Sequence, residues 1–259
     1  MISVRGVSKS YNDGLTWAVK DVSFDVTAGE VLALVGESGC GKTSTLKMIN
    51  RLVELTSGAI AVGDRDIMSI PPVVLRRSIG YVIQEIGLFP HLTVEENIGV
   101  VPELLGWSVN RTKERVDELL NLVGLDAREY RKRRPEELSG GQQQRVGLAR
   151  ALAGGPKTML MDEPFGALDP ITRAGVVEEF RKIQHDLSLT VIFVTHDMAE
   201  ALILADRIAV MKDGSIMAID TPSELLSNPG DPYAEELLSM PQRQAKIITE
   251  IAKSGGEPL

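Results

Sequence analysis

The sequence predicts an α/β fold in which a mostly parallel sheet is flanked by helices, with an antiparallel β edge and an inserted helical subdomain. Three observations predict it. Short apolar runs such as "EVLALVG" and "LTVIFVT" have the length of buried strands. A glycine-rich turn, "GESGCG", leads from the first of these runs into helical spacing. A long block with helical spacing, from Thr93 to about Ala153, separates that first part from later strand patterns.

The first third of the chain predicts the antiparallel edge and the first buried strand. Residues 2–35 alternate short apolar runs with turns, and "TAGE" precedes the run "VLALVG". Helical spacing follows in "KTSTLKMINRL", and "AIAVGDRDI" has the pattern of a hairpin.

The middle block has helical spacing in "NRTKERVDELLNLVGL" and in "LSGGQQQRVGLARALAGG", which ends in paired glycines. Pro102 is expected to break the preceding segment, "VEENIGVVPELLG".

Strand patterns return after the helical block. They occur in "KTMLMDEP" and "LTVIFVTH", which are joined by the helical pattern "ITRAGVVEEFRKIQHDL". Asp213-Gly214 indicates a hairpin, and "TPSELLSNPGDPYAEELL" indicates a capped helix followed by a loop. We therefore predict one domain over 1–241, with its core in 1–90 and 154–241 and a helical subdomain at about 91–153. A short polar tail is predicted at 242–259.

Composition excludes several classes of protein. The 259 residues are 43% hydrophobic and carry a formal net charge of -8, which argues against nucleic-acid binding. The one dense basic run, Arg131–Arg134, is expected to be a solvated loop. Cys40 is the single cysteine, so a reducing compartment is expected. With no signal-peptide core and no apolar run near the roughly 20 residues that span a bilayer, a soluble protein on the cytoplasmic side is expected.

The segment "GESGCGKT" matches the phosphate-binding motif G-x-x-x-x-G-K-[ST] in its required context between a strand and a helix. Its backbone N–H groups would cradle the phosphates of ATP, with Lys42 at the β- and γ-phosphates and Thr43 offering its hydroxyl to Mg²⁺. A purely structural glycine turn is the weaker alternative. The residues assigned to ATP here are Gly36, Glu37, Ser38, Gly39, Cys40, Gly41, Lys42, Thr43 and Ser44.

Two adjacent acids end the apolar strand "TMLMDE". A strand alternates its faces, so adjacent carboxylates take different positions. We assign Asp162 to Mg²⁺ and Glu163 to the base that polarises the attacking water. Taken alone, two acids at a strand end are common and indicate nothing.

The segment "LSGGQ", Leu138–Gln142, has two interpretations from its residues. Ser139 and Gln142 fit a capping box, a local stabilising device. Alternatively, the glycines leave the N-terminus of a helix bare for an anion. Spacing alone leaves both open.

The phosphate motif, "LSGGQ" and "MLMDEP", in that order, resemble the ATP-binding cassette (ABC) ATPases over nearly the whole chain. The resemblance implies the P-loop NTPase core. It also implies that this "LSGGQ" segment closes on ATP held by the phosphate loop of a second subunit, taken as an identical copy. The residues assigned to that contact are Ser139, Gly140, Gly141 and Gln142.

The resemblance assigns further single residues. Tyr11 matches the aromatic that stacks on adenine, and Gln84 matches the glutamine that touches Mg²⁺ or the attacking water. His196, which ends "VIFVTH", matches the switch histidine at the γ-phosphate. Asp169 ends the "GALD" loop that crosses the dimer interface, although many relatives carry serine where Gly166 stands. Without the family pattern, each of these residues has an ordinary packing or surface interpretation.

The resemblance also implies partners. A cassette of this kind drives separate membrane permease subunits from the inner face of the cell membrane, and a bacterial importer adds a solute-binding protein. The stretch "LRRSIGYVIQEIGLFPHLTVEENI" resembles the branch that takes up quaternary-amine osmoprotectants. Many members of that branch carry CBS domains after the cassette, and the short tail here predicts no ionic-strength sensing of that kind. The alternatives are the ATPase of an exporter and a soluble clamp ATPase without a permease.

Overall fold

The computed structural model describes residues 1–12, 14–84 and 87–253. In chain order its strands are β1 (Ile2–Tyr11), β2 (Thr16–Val26), β3 (Val31–Val35), β4 (Ser57–Val62), β5 (Arg65–Asp66), β6 (Ile79–Val82), β7 (Thr158–Asp162), β8 (Thr190–Val194), β9 (Arg207–Lys212) and β10 (Ser215–Asp220). Its α-helices are α1 (Lys42–Ile49), α2 (Pro72–Ser78), α3 (Val94–Leu104), α4 (Val109–Leu122), α5 (Ala127–Tyr130), α6 (Gly140–Leu152), α7 (Pro170–Leu187), α8 (Met198–Leu204), α9 (Pro222–Ser227) and α10 (Pro232–Lys253).

The larger sheet has the strand order β10-β9-β3-β8-β7-β6. Its strands pair in parallel from β9 to β6, and β10 joins as an antiparallel edge through the predicted Asp213-Gly214 hairpin. The apolar strands β3, β7 and β8 are buried at every residue because elements cover both faces of this sheet. Parallel strands bring their carboxyl ends to one edge, and the functional residues follow those ends.

The predicted antiparallel edge forms a second sheet of its own, with the order β2-β1-β4-β5. Apolar residues of β1, β2 and β4 share one buried core with β3 and α1, including Val4, Val22, Leu34 and Leu46. This core fixes the small sheet against the helix that follows the phosphate loop. The α/β fold class predicted from the sequence is confirmed.

The middle block is helical, as predicted, and consists of α3, α4, α5 and α6 packed on a continuous core with β7 and α7. One detail of the prediction is wrong, because Pro102 lies inside α3, which continues to Leu104. The proline lacks only its own N–H, and its carbonyl still accepts hydrogen bonds from the N–H groups of Leu105 and Trp107. Those bonds close the last turn beyond the proline.

The basic run lies in a turn and loop, as predicted, and Lys132 and Arg134 are exposed, but its charges are paired with acids. The Arg131 guanidinium forms ion pairs with Glu95 on α3 and Asp117 on α4, and Lys132 also pairs with Glu95. The carbonyls of Arg131 and Arg133 accept the N–H groups of Glu95 and Val94 at 3.0 and 2.8 Å. The run therefore holds the start of α3, and its charges are balanced by acids that are distant in the sequence.

The C-terminal region also differs from the sequence prediction. Thr221 caps α9 as expected, but Pro232–Lys253 form the long helix α10 where a loop and a polar tail were predicted. Asp231 caps its start by accepting the N–H groups of Tyr233 and Ala234, and burial of Tyr233, Ala234 and Leu238 fixes the first turns. Residues 254–259 of the predicted tail lie outside the described residues. No helix in the described ranges combines the length and apolar character needed to cross a membrane.

Candidate active site

The phosphate loop, Gly36–Thr43, connects β3 to α1 and needs its glycines. Gly36 has a φ of 145° and Gly41 a φ of 107°, both in the region that favours glycine. A Cβ at Gly36 would lie 2.1 Å from the Met211 carbonyl oxygen, and one at Gly41 would lie 2.3 Å from that of Ala18. Among the described residues no side chain caps α1 at Gly41, so the first N–H groups of this helix could bind an anion.

Lys42 occupies the inside of the loop. Its buried ammonium donates to the carbonyl oxygens of Gly36 and Glu37 at 2.8 and 2.7 Å, and lies 3.7 Å from the Cys40 sulfur. Glu37, Ser38 and Gly39 are exposed at the rim. A positive charge in the loop that leads into the start of α1 suits a phosphate chain.

Thr43 and Asp162 come together although 119 residues separate them. The Thr43 hydroxyl donates to Asp162 Oδ1 at 2.8 Å. Burial raises the pKa of Asp162, and the hydrogen bond from Thr43 partly offsets that effect. Oxygen ligands of this kind suit Mg²⁺. Since the described part of the chain holds no group of three or more His, Cys, Asp or Glu side chains that could bind a metal ion by themselves, such an ion would also need phosphate oxygens and water.

Three predicted catalytic residues meet at one oxygen atom. Gln84 Nε2 donates to Glu163 Oε2 at 3.0 Å, and His196 Nδ1 lies 3.2 Å from the same oxygen. Gln84, Glu163 and His196, here called the Glu163 cluster, follow the ends of β6, β7 and β8. The cluster thus depends on the order of three neighbouring strands in the parallel sheet.

Sequence reasoning missed a polar network behind His196. The Thr195 hydroxyl donates to Glu200 Oε2 at 2.6 Å and accepts the Asp197 N–H at 3.0 Å. Arg173 on α7 donates to Asp197 Oδ2 and to the Leu168 carbonyl, each at 3.0 Å. Burial raises the pKa of Glu200. The "THD" triplet is the only local signal for this network, because Arg173 and Glu200 follow no motif in the sequence.

The "LSGGQ" segment forms the capping box that its spacing allows. The Ser139 hydroxyl accepts the Gln142 N–H at 3.4 Å, and Gln142 Oε1 accepts the Ser139 N–H at 2.9 Å. Gly141 is needed for packing, since a Cβ there would lie 2.4 Å from Thr172 Cγ2. Within the described ranges, no hydrogen bond joins this segment to the phosphate loop of the same chain.

Tyr11 and Asp169 have contacts of their own. Tyr11 ends β1 with 41% of its surface exposed, and the Lys9 ammonium lies 5.0 Å from its ring centroid. Asp169 caps α7 by accepting the N–H groups of Ile171 and Thr172, and hydrogen bonds led by Thr172 lower its pKa. Their nucleotide contacts stay predictions.

The sequence matches the ABC transporter family over residues 19–166. The carnitine transport ATP-binding protein of Listeria monocytogenes is 55% identical over 238 residues, which cover 92% of this chain and 59% of that protein. The choline transport ATP-binding protein of Bacillus subtilis is 53% identical, with 92% and 62% covered. The glycine betaine uptake system ATP-binding protein of Escherichia coli is 45% identical, with 96% and 80% covered. The chain spans about three fifths of the length of the first two.

Solved structures agree with these matches. A dimeric ATP-binding cassette in a post-hydrolysis state, bound to ADP and phosphate, superimposes with a TM-score of 0.76 at 33% identity. The match covers 85% of this chain and 98% of that one. A cassette of an ABC transporter complex from Clostridium perfringens gives a TM-score of 0.82 at 26% identity, with 96% and 98% covered. Because the identity to characterised cassettes extends over nearly the whole chain, the protein belongs to the ABC transporter family.

Proposed function

We propose that this chain hydrolyses ATP between two copies of itself and so drives the uptake of a quaternary-amine osmoprotectant through membrane permease subunits. The observation that carries the proposal is the Glu163 cluster. Its shared carboxylate oxygen lies between an amide donor and an imidazole, and the adjacent residue, Asp162, is bonded to Thr43 of the phosphate loop. This arrangement supports phosphoryl transfer to water.

The chain's own residues account for each part of the hydrolysis. Lys42 and the N–H groups at the start of α1 bind the phosphates, and Glu163 Oε2 accepts a proton from the attacking water. The water oxygen bonds to the γ-phosphorus while the bond to the bridging oxygen breaks, which yields ADP and phosphate. Thr43 and Asp162 would hold Mg²⁺, which neutralises developing charge when bound. Gln84 and His196 orient the carboxylate.

A second copy supplies the "LSGGQ" segment in this proposal. The segment makes no hydrogen bond to its own phosphate loop in the described structure, and Ser139 and Gly140 are exposed. A solved cassette that is dimeric and bound to ADP and phosphate supports a pairing of two copies in the nucleotide-bound state. Closing two copies around two ATP molecules would place each helix N-terminus at the phosphates held by the partner.

An apolar groove between the core and the helical subdomain supports a membrane partner. The groove encloses about 610 Å³, and its lining includes the exposed side chains of Val73, Ile83, Phe89 and Leu104. Apolar side chains exposed together in a groove that arginines also line suit the binding of a protein segment. We assign this groove to the permease and place the chain at the inner face of the membrane. The names of the relatives, which refer to carnitine, choline and glycine betaine, favour import of a quaternary amine over the exporter alternative.

The substitution Glu163→Gln tests the proposed hydrolysis. It keeps the shape of the side chain but removes the proton acceptor, so we expect ATP to bind while turnover falls by at least about a hundredfold. An ATP-dependent dimer should then accumulate, and size-exclusion chromatography with multi-angle light scattering would detect it. Near-normal turnover would show that the base lies elsewhere.

The same variant tests the transport role. With ATP, tagged Glu163→Gln protein from gently solubilised membranes of the native source should co-purify with a permease. As a matched control, Val73→Asp is combined with Glu163→Gln, because Val73 is exposed in the groove. The double variant should no longer co-purify with the permease but should still form the ATP-dependent dimer. Recovery of soluble proteins alone would contradict a transport function.

A further inference from the structure

The helix α10 bonds directly to the phosphate loop. The hydroxyl of Tyr233, in its first turn, accepts the Glu37 N–H at 3.1 Å. The residue is buried, and the Lys212 ammonium lies 4.5 Å from its ring centroid. Asp231 caps the same turn through the Tyr233 N–H at 2.9 Å. The contact of Lys212 with the ring and the hydrogen bond of Asp231 with the backbone together hold the Tyr233 hydroxyl at the phosphate loop.

The Glu37 N–H belongs to a peptide group whose carbonyl oxygen also binds Lys42. The Glu37 N–H and the Gly36 carbonyl are parts of one planar peptide group, so fixing one fixes the direction of the other. The Gly36 carbonyl oxygen accepts the Lys42 ammonium at 2.8 Å. A rotation of this peptide would move the carbonyl away from Lys42. Gly36, with its φ of 145°, lacks the Cβ that restricts such rotation in other residues.

We propose that Tyr233 is a positioning residue of the phosphate loop, whose hydroxyl orients the Gly36–Glu37 peptide and thereby holds Lys42 ready for the phosphates of ATP. The inference rests on the proposed function, and it adds α10 to the nucleotide site. Tyr233 acts through the peptide and through Lys42. Its loss should therefore weaken nucleotide binding and raise KM while leaving kcat nearly unchanged.

The position of α10 gives this contact a wider consequence. A cleft of about 250 Å³ lies between α10 and the site, and its lining includes Gly36, His196, Met198, Leu237 and Met240. One helix therefore faces both the phosphate loop and the switch histidine. A displacement of α10 would break the Tyr233 bond and lower the affinity for ATP.

Removal of a single hydroxyl tests the proposal. Tyr233→Phe keeps the buried ring. The control Ser239→Ala removes a hydroxyl of the same helix, and among the described residues that hydroxyl donates only to the Glu236 carbonyl, at 2.8 Å. Titration with ATP and ADP in the Glu163→Gln background gives Kd, and steady-state kinetics in the otherwise unmodified protein gives KM and kcat. We expect Kd and KM to rise about fivefold in Tyr233→Phe, the effect of one lost hydrogen bond, with kcat within about twofold.

Amide exchange tests the hydrogen bond without nucleotide. The Glu37 amide should exchange faster in Tyr233→Phe and stay protected in Ser239→Ala, while Tm stays close to that of the unmodified protein. Unchanged Kd, KM and Glu37 exchange would overturn the role of Tyr233, as would an equal effect of Ser239→Ala. Failure of the unmodified chain to bind ATP would overturn the proposed function as well, so the two failures are distinguishable.

Discussion

Glu163 follows the buried strand β7 with a left-handed backbone, at a φ of 45°. Such a conformation costs a residue with a side chain about 1–2 kcal/mol. Its N–H is fixed by the Val194 carbonyl at 2.9 Å. The turn separates two adjacent acids, so that Asp162 meets Thr43 while Glu163 meets Gln84 and His196. The strained backbone at Glu163 therefore gives the neighbouring carboxylates different contacts.

The buried carboxylate of Asp162, which we assign to Mg²⁺, lowers the stability of the fold. Burial raises its pKa above the ordinary value, so the folded state binds this proton more tightly than the unfolded state does. The contribution of Asp162 to the free energy of unfolding is therefore greatest at acid pH. It falls as the pH rises through the pKa of the folded state, and it stays reduced at pH 7. Asp162→Asn removes the buried charge and keeps an oxygen that can accept from Thr43.

We expect Asp162→Asn to raise the Tm of the nucleotide-free protein by about 2–4 °C and to abolish Mg²⁺-dependent hydrolysis. Differential scanning calorimetry at pH 7 measures the shift. Asp162→Ala serves as the control, because it removes both the charge and the Thr43 acceptor and should not stabilise. A lower Tm in Asp162→Asn would contradict the burial effect.

At the scale of elements, α7 and α8 are joined by a polar network next to His196. Arg173 near the start of α7 binds the Leu168 carbonyl in the "GALD" loop and Asp197 at the cap of α8. The Nε atom of Arg173 lies 3.7 Å from Glu200 Oε1, and neither of these buried atoms has a hydrogen-bond partner among the described residues. The proximity of the Arg173 charge limits the rise in the pKa of Glu200. A loop assigned to the dimer interface is thus linked to the loop that carries His196.

Arg173→Met should destabilise the fold in a pH-dependent way. Without the arginine the pKa of Glu200 rises further, so the folded state gains stability when Glu200 is protonated and loses it as the pH rises. We expect a loss of about 2–3 kcal/mol at pH 8, where a buried charge is left without its partner, and a smaller loss at about pH 5. Urea unfolding at both pH values provides the measurement.

A second substitution provides the control for this pair. Glu200→Gln removes the buried charge, so Arg173→Met combined with Glu200→Gln should recover much of the stability at pH 8. A loss that is the same at both pH values, or that the double variant does not reduce, would exclude the electrostatic explanation. Packing of the Arg173 stem would then account for the loss.

At the scale of the whole molecule, the predicted site is divided between two surfaces of the chain. The phosphate loop and the Glu163 cluster lie at the carboxyl edge of the parallel sheet, and the "LSGGQ" segment begins α6 in the helical subdomain. Capping uses the Ser139 hydroxyl and the Gln142 side chain, while the exposed backbone at Gly140 is left for a ligand. The two interpretations of this segment are therefore compatible.

Ser139→Arg should prevent closure of the dimer. Ser139 is exposed, so the larger side chain fits on the single chain but would occupy the space of the partner's ATP. In the Glu163→Gln background we expect ATP binding by the monomer and no ATP-dependent dimer by light scattering. Ser139→Ala is the matched control, because it also loses the cap, at about 1 kcal/mol, and adds no bulk. Dimerisation of the arginine variant would contradict the contact between copies.

The sequence by itself determined the fold class, the phosphate loop and the capping box. These features depend on short-range rules: strand-length apolar runs, glycines where φ is positive, and a serine three residues before a glutamine. Asp162 and Glu163 could be located at the end of their strand from the local pattern, but the roles predicted for them depended on the phosphate motif elsewhere in the chain. Family resemblance was needed for Gln84 and His196, which no local pattern distinguishes.

Only the tertiary structure decided which distant residues meet. Helix α10 continues through Pro241 where the sequence predicted a loop and a tail, since burial of its first turns outweighs the local signals. Several contacts join residues of different elements. They are the ion pairs of Arg131, the network of Arg173 and Glu200, and the hydrogen bond that the Glu37 N–H donates to Tyr233. Such contacts depend on the order of the strands and on the packing of the helices, and local sequence patterns specify neither of these.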